Sequence, residues 1–337
     1  SSGTLDVCSG GVVQADAINY RGMAIISSGG VASGLTLYGA ETVLSGGVDS
    51  ASQVIYGLQT IEAGGSAVGD QVSNEQLGEG GLAVDTYVLS GTQFVLERGI
   101  ASGTVVSSGA RQNVGTAETV GTQLAGGQEF VYSGGLASDT EVDSGGKLTV
   151  YGSGSAQGGD IKDGGIAFVS SGGTVSGMTV ESGGFIVALQ GGNVSGTTLA
   201  GGRVISTGVL VYNGASGTYY ASSVLDGVNL ASGEAYVLAG GALSHASGTK
   251  VEVFASGLVS DMSAGYGSGD VRTLDIGQGG SGVDLHTDSY GTISVTGGFV
   301  SDSTAQQGGR LTLDSGSVGS GNSAVSGGVI NVSDSVS

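Results

Sequence analysis

The chain has 337 residues, among them 71 glycines, no proline and a single cysteine, Cys8, and only 11% of its residues are charged. A hydrophobic share of 39% is too high for a disordered Gly/Ser linker, and without proline or a three-residue glycine period a collagen helix is excluded. The net charge is −20, the few Lys and Arg never cluster, and one cysteine closes no loop, so a nucleic-acid footprint and a disulfide framework are both excluded.

In chain order, Gly-Gly pairs open the pattern at 10 and 29, then recur at 126, 145, 164, 183 and 201, in steps of 19, 19, 19 and 18. A second series interleaves at 134, 152–154 (Gly-Ser-Gly), 172 and 191. Each period of about 19 residues therefore carries two turns, and roughly 17 to 18 periods would fill the chain.

Between the turns lie two short segments. The first is VASGLTL (31–37), LAVDTYV (82–88), IASGTVV (100–106), LASDTEV (136–142), TVSGMTV (174–180) and NVSGTTL (193–199). Its second place is Ala or Val, its seventh Val or Leu, and its fourth Gly or Asp. The second segment is QEFVY (128–132), KLTVY (147–151), FIVAL (185–189) and RVIST (203–207), mostly polar at the first place and aliphatic at the fourth.

Segments this short, with no 3.6-residue pattern, read as strands between glycine turns. A single such strand buries too little to stand alone. Stacking one period on the next makes each place a ladder, which is a parallel β-solenoid with about 19 residues per coil. Coils about 4.8 Å apart would give a rod on the order of 80 Å. Ala32, Ala83, Ala101, Ala137, Val175 and Val194 are expected to form one inner column, and Leu37, Val88, Val106, Val142, Val180 and Leu199 another. Tyr20, Tyr38 and Tyr56, spaced by 18, and Tyr132 and Tyr151, spaced by 19, are expected to stack along the coil, either as structural rings or as a sugar-binding track.

The stretch 208–278 repeats less cleanly. VLVYNGASGTYYASSVLDG has no double glycine, and the step from Gly240 to Gly279 is 39, or two periods. With no linker visible, it reads as an irregular part of one rod over 1–337. Regular spacing resumes with pairs at 279 and 297.

The residues speak against several chemistries. Polysaccharide-processing β-helices need clustered acids. Asp160 and Asp163, and Asp139, Glu141 and Asp143, are close in sequence but fall on turns or outward places. His245 and His286 lack a third ligand, and Cys8 has no histidine near it in sequence, so neither metal nor thiol chemistry is expected. GYGSGDVRTLDIG (265–277) is a single faint echo of a calcium repeat, and Gly146-Lys147 fails the phosphate-loop pattern. No cofactor is expected.

The tandem SGGLASDTEVDSGGKLTV (133–150) resembles the repeat of the AIDA-type self-associating autotransporters, bacterial surface adhesins. The resemblance is best over 27–207 and 279–330. It implies a right-handed parallel β-helix passenger, not an enzyme, exported through an outer-membrane barrel to the bacterial cell surface, from which it could be released. It implies adhesion to a host-cell receptor or glycan, and association with itself on neighbouring cells in autoaggregation and biofilm. It also implies O-linked heptoses on repeat serines, added by a cytoplasmic heptosyltransferase. The matching serines precede double glycines: Ser28, Ser45, Ser133, Ser144, Ser171 and Ser182. As ordinary residues they would simply be turn serines. With SGGVINVSDSVS (326–337) still repeating and no cap or leader evident, the chain is expected to be a piece of a longer passenger. The competing reading is a carbohydrate-binding or carbohydrate-processing β-helix.

Overall fold

The computed structural model describes residues 3–77, 80–221, 223–230, 233–267, 270–288 and 290–333. They form strands and turns throughout, in two compact units, Ser1–Val204 and Ile205–Ser337.

The first unit is a parallel β-solenoid. Eleven three-residue strands, from Val12–Gln14 through Leu82–Val84 to Asn193–Ser195, stack as one sheet. The four-residue strands, such as Lys147–Val150 and Ile166–Val169, belong to a second, 21-stranded sheet. Partners are one period apart, as in Leu82↔Ile100 and Ser155↔Thr174. Side chains alternate out and in along each short strand, so the middle residue faces the interior.

The double glycine has two separate jobs. In the turn around Ser28, the Gly30 N–H donates to the Ser27 carbonyl at 2.8 Å, and Gly29 takes φ 74°, a left-handed value that a Cβ disfavours. Gly30 itself needs no special φ, but a Cβ there would lie 2.2 Å from the Val7 carbonyl oxygen of the coil below. The first glycine makes the turn and the second lets the coils approach.

The Gly-or-Asp preference at the fourth place has the same kind of origin. Gly34, Asp85, Gly103, Asp139 and Gly177 all take φ between 54° and 68°. Asp is among the few residues with a side chain that tolerate this region.

The expected inner columns are present. Ala32, Ala83, Ala101, Ala137 and Val175 are fully buried, as are Leu37, Val88, Val106, Val142 and Val180. Val194 is half-buried against the core. Leu199 departs from expectation and is 56% exposed. It lies in the last rung of its column, Thr198–Ala200, which pairs with Thr179–Glu181 in the rung before.

The second unit begins differently. Val209–Tyr212 pairs antiparallel with Gly217–Tyr220 and with Glu234–Val237. Asn213 Oδ1 accepts from the N–H groups of Ala215 (3.0 Å) and Ser216 (2.7 Å) and so builds the turn without glycine pairs. Parallel coils then resume. The 39-residue step is two coils: Gly240 N–H donates to Ser256 O, and Ser256 N–H to Gly279 O. Ser256 takes φ 62° in the glycine's place, which hides the turn from a glycine count. Stacking runs on to Val329–Val332 over Arg310–Asp314; residues 334–337 of the repeat-like tail lie outside the described residues.

Candidate functional site

Three groups of side chains emerge from this frame: corner serines, aromatic rings and an interior polar chain. All six candidate serines occupy the position just before the positive-φ glycine of a tight turn, and all six are exposed. Each turn closes in the same way, as in Gly47 N–H to Leu44 O (2.8 Å), Gly146 N–H to Asp143 O (2.8 Å) and Gly173 N–H to Ser170 O (2.9 Å).

The turns stack through their backbones, and this sorts the serines into columns. Gly29 N–H donates to Gly46 O, so Ser28 and Ser45 are direct neighbours. Gly134, Ser153 and Gly172 follow one another, so Ser133 and Ser171 share a column with Gly152 between them. Gly145, Gly164 and Gly183 do the same on the other corner, with Asp163 between Ser144 and Ser182. A Cβ on Gly46 would sit 2.8 Å from Ser28 Oγ, one on Gly64 2.8 Å from Ser45 Oγ and one on Gly191 2.6 Å from Ser171 Oγ, so at these turns the glycine leaves room for the hydroxyl of the neighbouring turn.

The tyrosines do cluster. Tyr132 and Tyr151 stack at 5.1 Å with planes 10° apart, flanked by Phe130. Tyr20, Tyr38 and Tyr56 form a triangle of 5.8, 6.4 and 6.4 Å, not a straight ladder. Tyr20 and Tyr56 remain 65% and 73% exposed, so their faces are open to solvent.

The sequence-adjacent acids point outward as expected. Lys162 pairs with Glu141 and lies 3.1 Å from Asp143. His245 and His286 each lie beside a different aspartate, Asp226 (2.7 Å) and Asp284 (3.6 Å). Cys8 is exposed. Of the segment 265–277, residues 268 and 269 lie outside the described residues.

What sequence reasoning missed lies inside the coils. Glu41, Asp49, Ser52, Gln59 and Asp70 are fully buried. Gln59 Nε2 lies 2.9 Å from Glu41 Oε2, 2.8 Å from Asp49 Oδ2 and 2.8 Å from Asp70 Oδ2. An amide has two N–H hydrogens, so it cannot serve three carboxyl oxygens at once. Ser52 Oγ donates to Asp49 Oδ1, and Ser52 N–H to Asp70 Oδ1. Burial, then the neighbouring Asp49 charge, raises Glu41 to about 9 and Asp70 to about 8; burial raises Asp49 as well. The acceptor surplus and the low dielectric agree: this cluster carries protons at neutral pH.

The chain continues upward. Gln112 Nε2 donates to Gln93 Oε1 at 2.6 Å, and Thr122 Oγ1 to Gln112 Oε1 at 3.0 Å. Thr119 and Thr140 donate to the two oxygens of Glu129, whose carboxyl burial raises to about 7 against those two hydrogen bonds. The signal was in the sequence: LQTI (58–61), RQNV (111–114) and QEFV (128–131) carry Gln or Glu at one fixed place, where KLTV has Leu. Three acids do meet, at Glu41, Asp49 and Asp70, but sealed inside the coil and not in a groove.

These features define a repeat protein of the parallel β-solenoid class whose outward chemistry is stacked at its corners. Within it, residues 120–184 match the family model of AIDA, described as the adhesin of bacterial autotransporter system, probable stalk. Ser133, Ser144, Ser171 and Ser182 lie in that segment. Among solved structures, the chain is similar to a hyper-glycosylated TibA fragment whose glycosylation TibC catalysed, at 19% identity, over 96% of this chain and 98% of that one, with a TM-score of 0.40. It is also similar to a mutant of the PL6-family alginate lyase AlyGC, at 8% identity, over 99% and 76% of the two chains, with a TM-score of 0.18. No curated protein matches the chain.

Proposed function

We propose that the chain is the stalk of a bacterial autotransporter adhesin, exported through the outer membrane and displayed on the cell surface. It acts by contact and not by catalysis. Its partners are itself on neighbouring cells, giving autoaggregation and biofilm, and a receptor or glycan on host cells. The corner serines are acceptors for O-linked heptose, added before export by a cytoplasmic heptosyltransferase. The observation that carries this reading is the match of residues 120–184 to the adhesin stalk family, within coils that repeat the same exposed corner. Repetition suits adhesion, because weak contacts at many rungs add through multivalency.

The test is display of the chain on a non-aggregating bacterial strain, with settling rate and host-cell attachment measured against the anchor alone. Faster settling and higher attachment are expected; no change in either refutes the reading. Intact mass of the chain made with the transferase should rise in steps of about 192 Da, the increment of a heptose as a covalent modification. Peptide mapping should then place those steps on the six serines.

A further inference from the structure

Each of the 11 short strands of the first unit presents two residues outward, its first and its third. Across that whole sheet the single charged outward residue is Glu118. In a chain with net charge −20 this is a strong local departure. Each of the first six rungs also presents at least one large apolar residue outward, beside Gln14, Ser33, Ser50, Ser66 or Ser102 in five of them. Val12, Val31, Val48, Leu82 and Ile100 form one column in register, interrupted at Ser66, where the third-place Val68 supplies the apolar side chain instead. All six are large hydrophobics left exposed, from 36% at Val31 to 64% at Val12. Of the five later rungs, the next two carry Glu118 and Leu136 in the column, and the last three present uncharged polar residues: Ser155 and Gln157, Thr174 and Ser176, Asn193 and Ser195.

We infer that this charge-poor sheet face, led by its aliphatic column, is the surface through which two copies of the chain associate. The inference rests on the homotypic reading above and gives it a place. A second copy brings the same −20 charge, so most mutual approaches are repulsive. The short-strand face is where two copies can meet with the fewest charges in the contact, Glu118 being the one outward carboxylate on each. A two-fold pairing places the same column on both partners, as an isologous contact requires. The apolar column gains by leaving water, and the polar rungs beyond it offer hydroxyl and amide partners.

Size sets the strength. Eleven rungs at about 4.8 Å and strands about 10 Å wide give a face of roughly 500 Å². Two such faces bury about 1,000 Å², at the low end for a specific interface, so one pair of chains binds weakly. Many chains on two apposed cells bind strongly together. Asp85 and Asp139, on the corner next to the face, would border the contact and set its salt dependence.

The test compares the wild type with three variants of the whole chain, both purified in sedimentation equilibrium at physiological salt and displayed on cells. Leu82→Glu with Ile100→Glu puts charge in the column. Leu82→Thr with Ile100→Thr places strand-favouring β-branched residues at both positions but removes apolar area, and guards against a folding defect of the first pair. Thr42→Glu adds charge to a strand of the other sheet. Circular dichroism should show the same strand signal for all. Expected is association weakened on the order of tenfold by the Glu pair, since like charges would oppose across the contact. A smaller loss is expected for the Thr pair, and none for Thr42→Glu. If the wild type associates and both column variants associate equally well, the face is wrong and the homotypic reading stands. If the wild type does not associate in either format, both fall. If the column variants lose host-cell attachment but not self-association, the face belongs to another partner and the inference is overturned.

Discussion

Gln59 donates its side-chain amide to Glu41 at 2.9 Å across the interior of two stacked coils, and the same nitrogen lies 2.8 Å from both Asp49 and Asp70. A solenoid core expected to be aliphatic thus encloses three carboxyl groups. The arrangement holds together because Glu41 and Asp70 are protonated when folded.

That relationship predicts how stability depends on pH. Glu41 stands at about 9 and Asp70 at about 8 in the folded chain, against ordinary values of 4.5 and 3.8. The folded state therefore binds more protons than the unfolded state between about pH 4 and pH 9. The stabilisation is complete below the ordinary carboxylate range and is lost as pH rises through 8 to 9. Thermal melts at pH 6 and pH 9 should show a lower midpoint at pH 9, and Glu41→Gln with Asp70→Asn should flatten the difference. A midpoint that rises with pH would refute the protonated cluster.

The upper polar chain predicts an asymmetry between two substitutions. Gln112 links Gln93 to Thr122. Gln112→Ala removes a donor from Gln93 and leaves a void, at a cost of about 2–4 kcal/mol from the lost hydrogen bonds and the cavity. Gln112→Leu fills the space, as Leu148 does two coils on, and should cost less. Denaturant melts rank the pair, and equal losses would show that packing there is not limiting.

Double glycines separate two physical demands, and single substitutions should too. Gly30→Ala forces a Cβ to 2.2 Å from Val7 O and should cost about 1–3 kcal/mol or more through overpacking between coils. Gly29→Asn, at φ 74°, keeps a residue that tolerates the left-handed region and should cost well under that. Chemical denaturation checks the order, and a milder Gly30→Ala would contradict the division of labour between the two positions.

Charge predicts a salt effect on cells. With net charge −20, copies on neighbouring cells repel most when screening is weakest. Raising salt from about 0.01 M to 0.15 M shortens the screening length from about 30 Å to about 8 Å, so settling of displaying cells should quicken. Unchanged or slower settling would mean that charge does not govern the contact.

Much of the coil was readable from sequence because repetition amplifies weak signals. The glycine spacing marked the corners, and the second and seventh places of VASGLTL-type segments marked the inner columns through Ala32 and Leu37. Three features were not readable, each for a physical reason. Gln59, Gln112 and Glu129 are polar side chains at inward places, and a polar residue in an imperfect alternation reads as outward until the register is known. Leu199 has the right residue for the core but stands in a last rung, and burial depends on a neighbour that no single segment encodes. The antiparallel pairing at Val209–Tyr212 uses the Asn213 side chain for its turn, so it leaves no glycine pair to count. The corner serines were found because a tight turn repeats its chemistry. Their modification is a matter of covalent chemistry that a backbone pattern does not record.

The most direct measurement mixes two differently labelled populations of one non-aggregating strain, the first displaying the chain and the second the anchor alone, and scores the composition of the aggregates by microscopy. A homotypic stalk predicts aggregates built from displaying cells, with the anchor-only cells left in suspension. Aggregates containing both populations in their input ratio, or no aggregates at all, would contradict it.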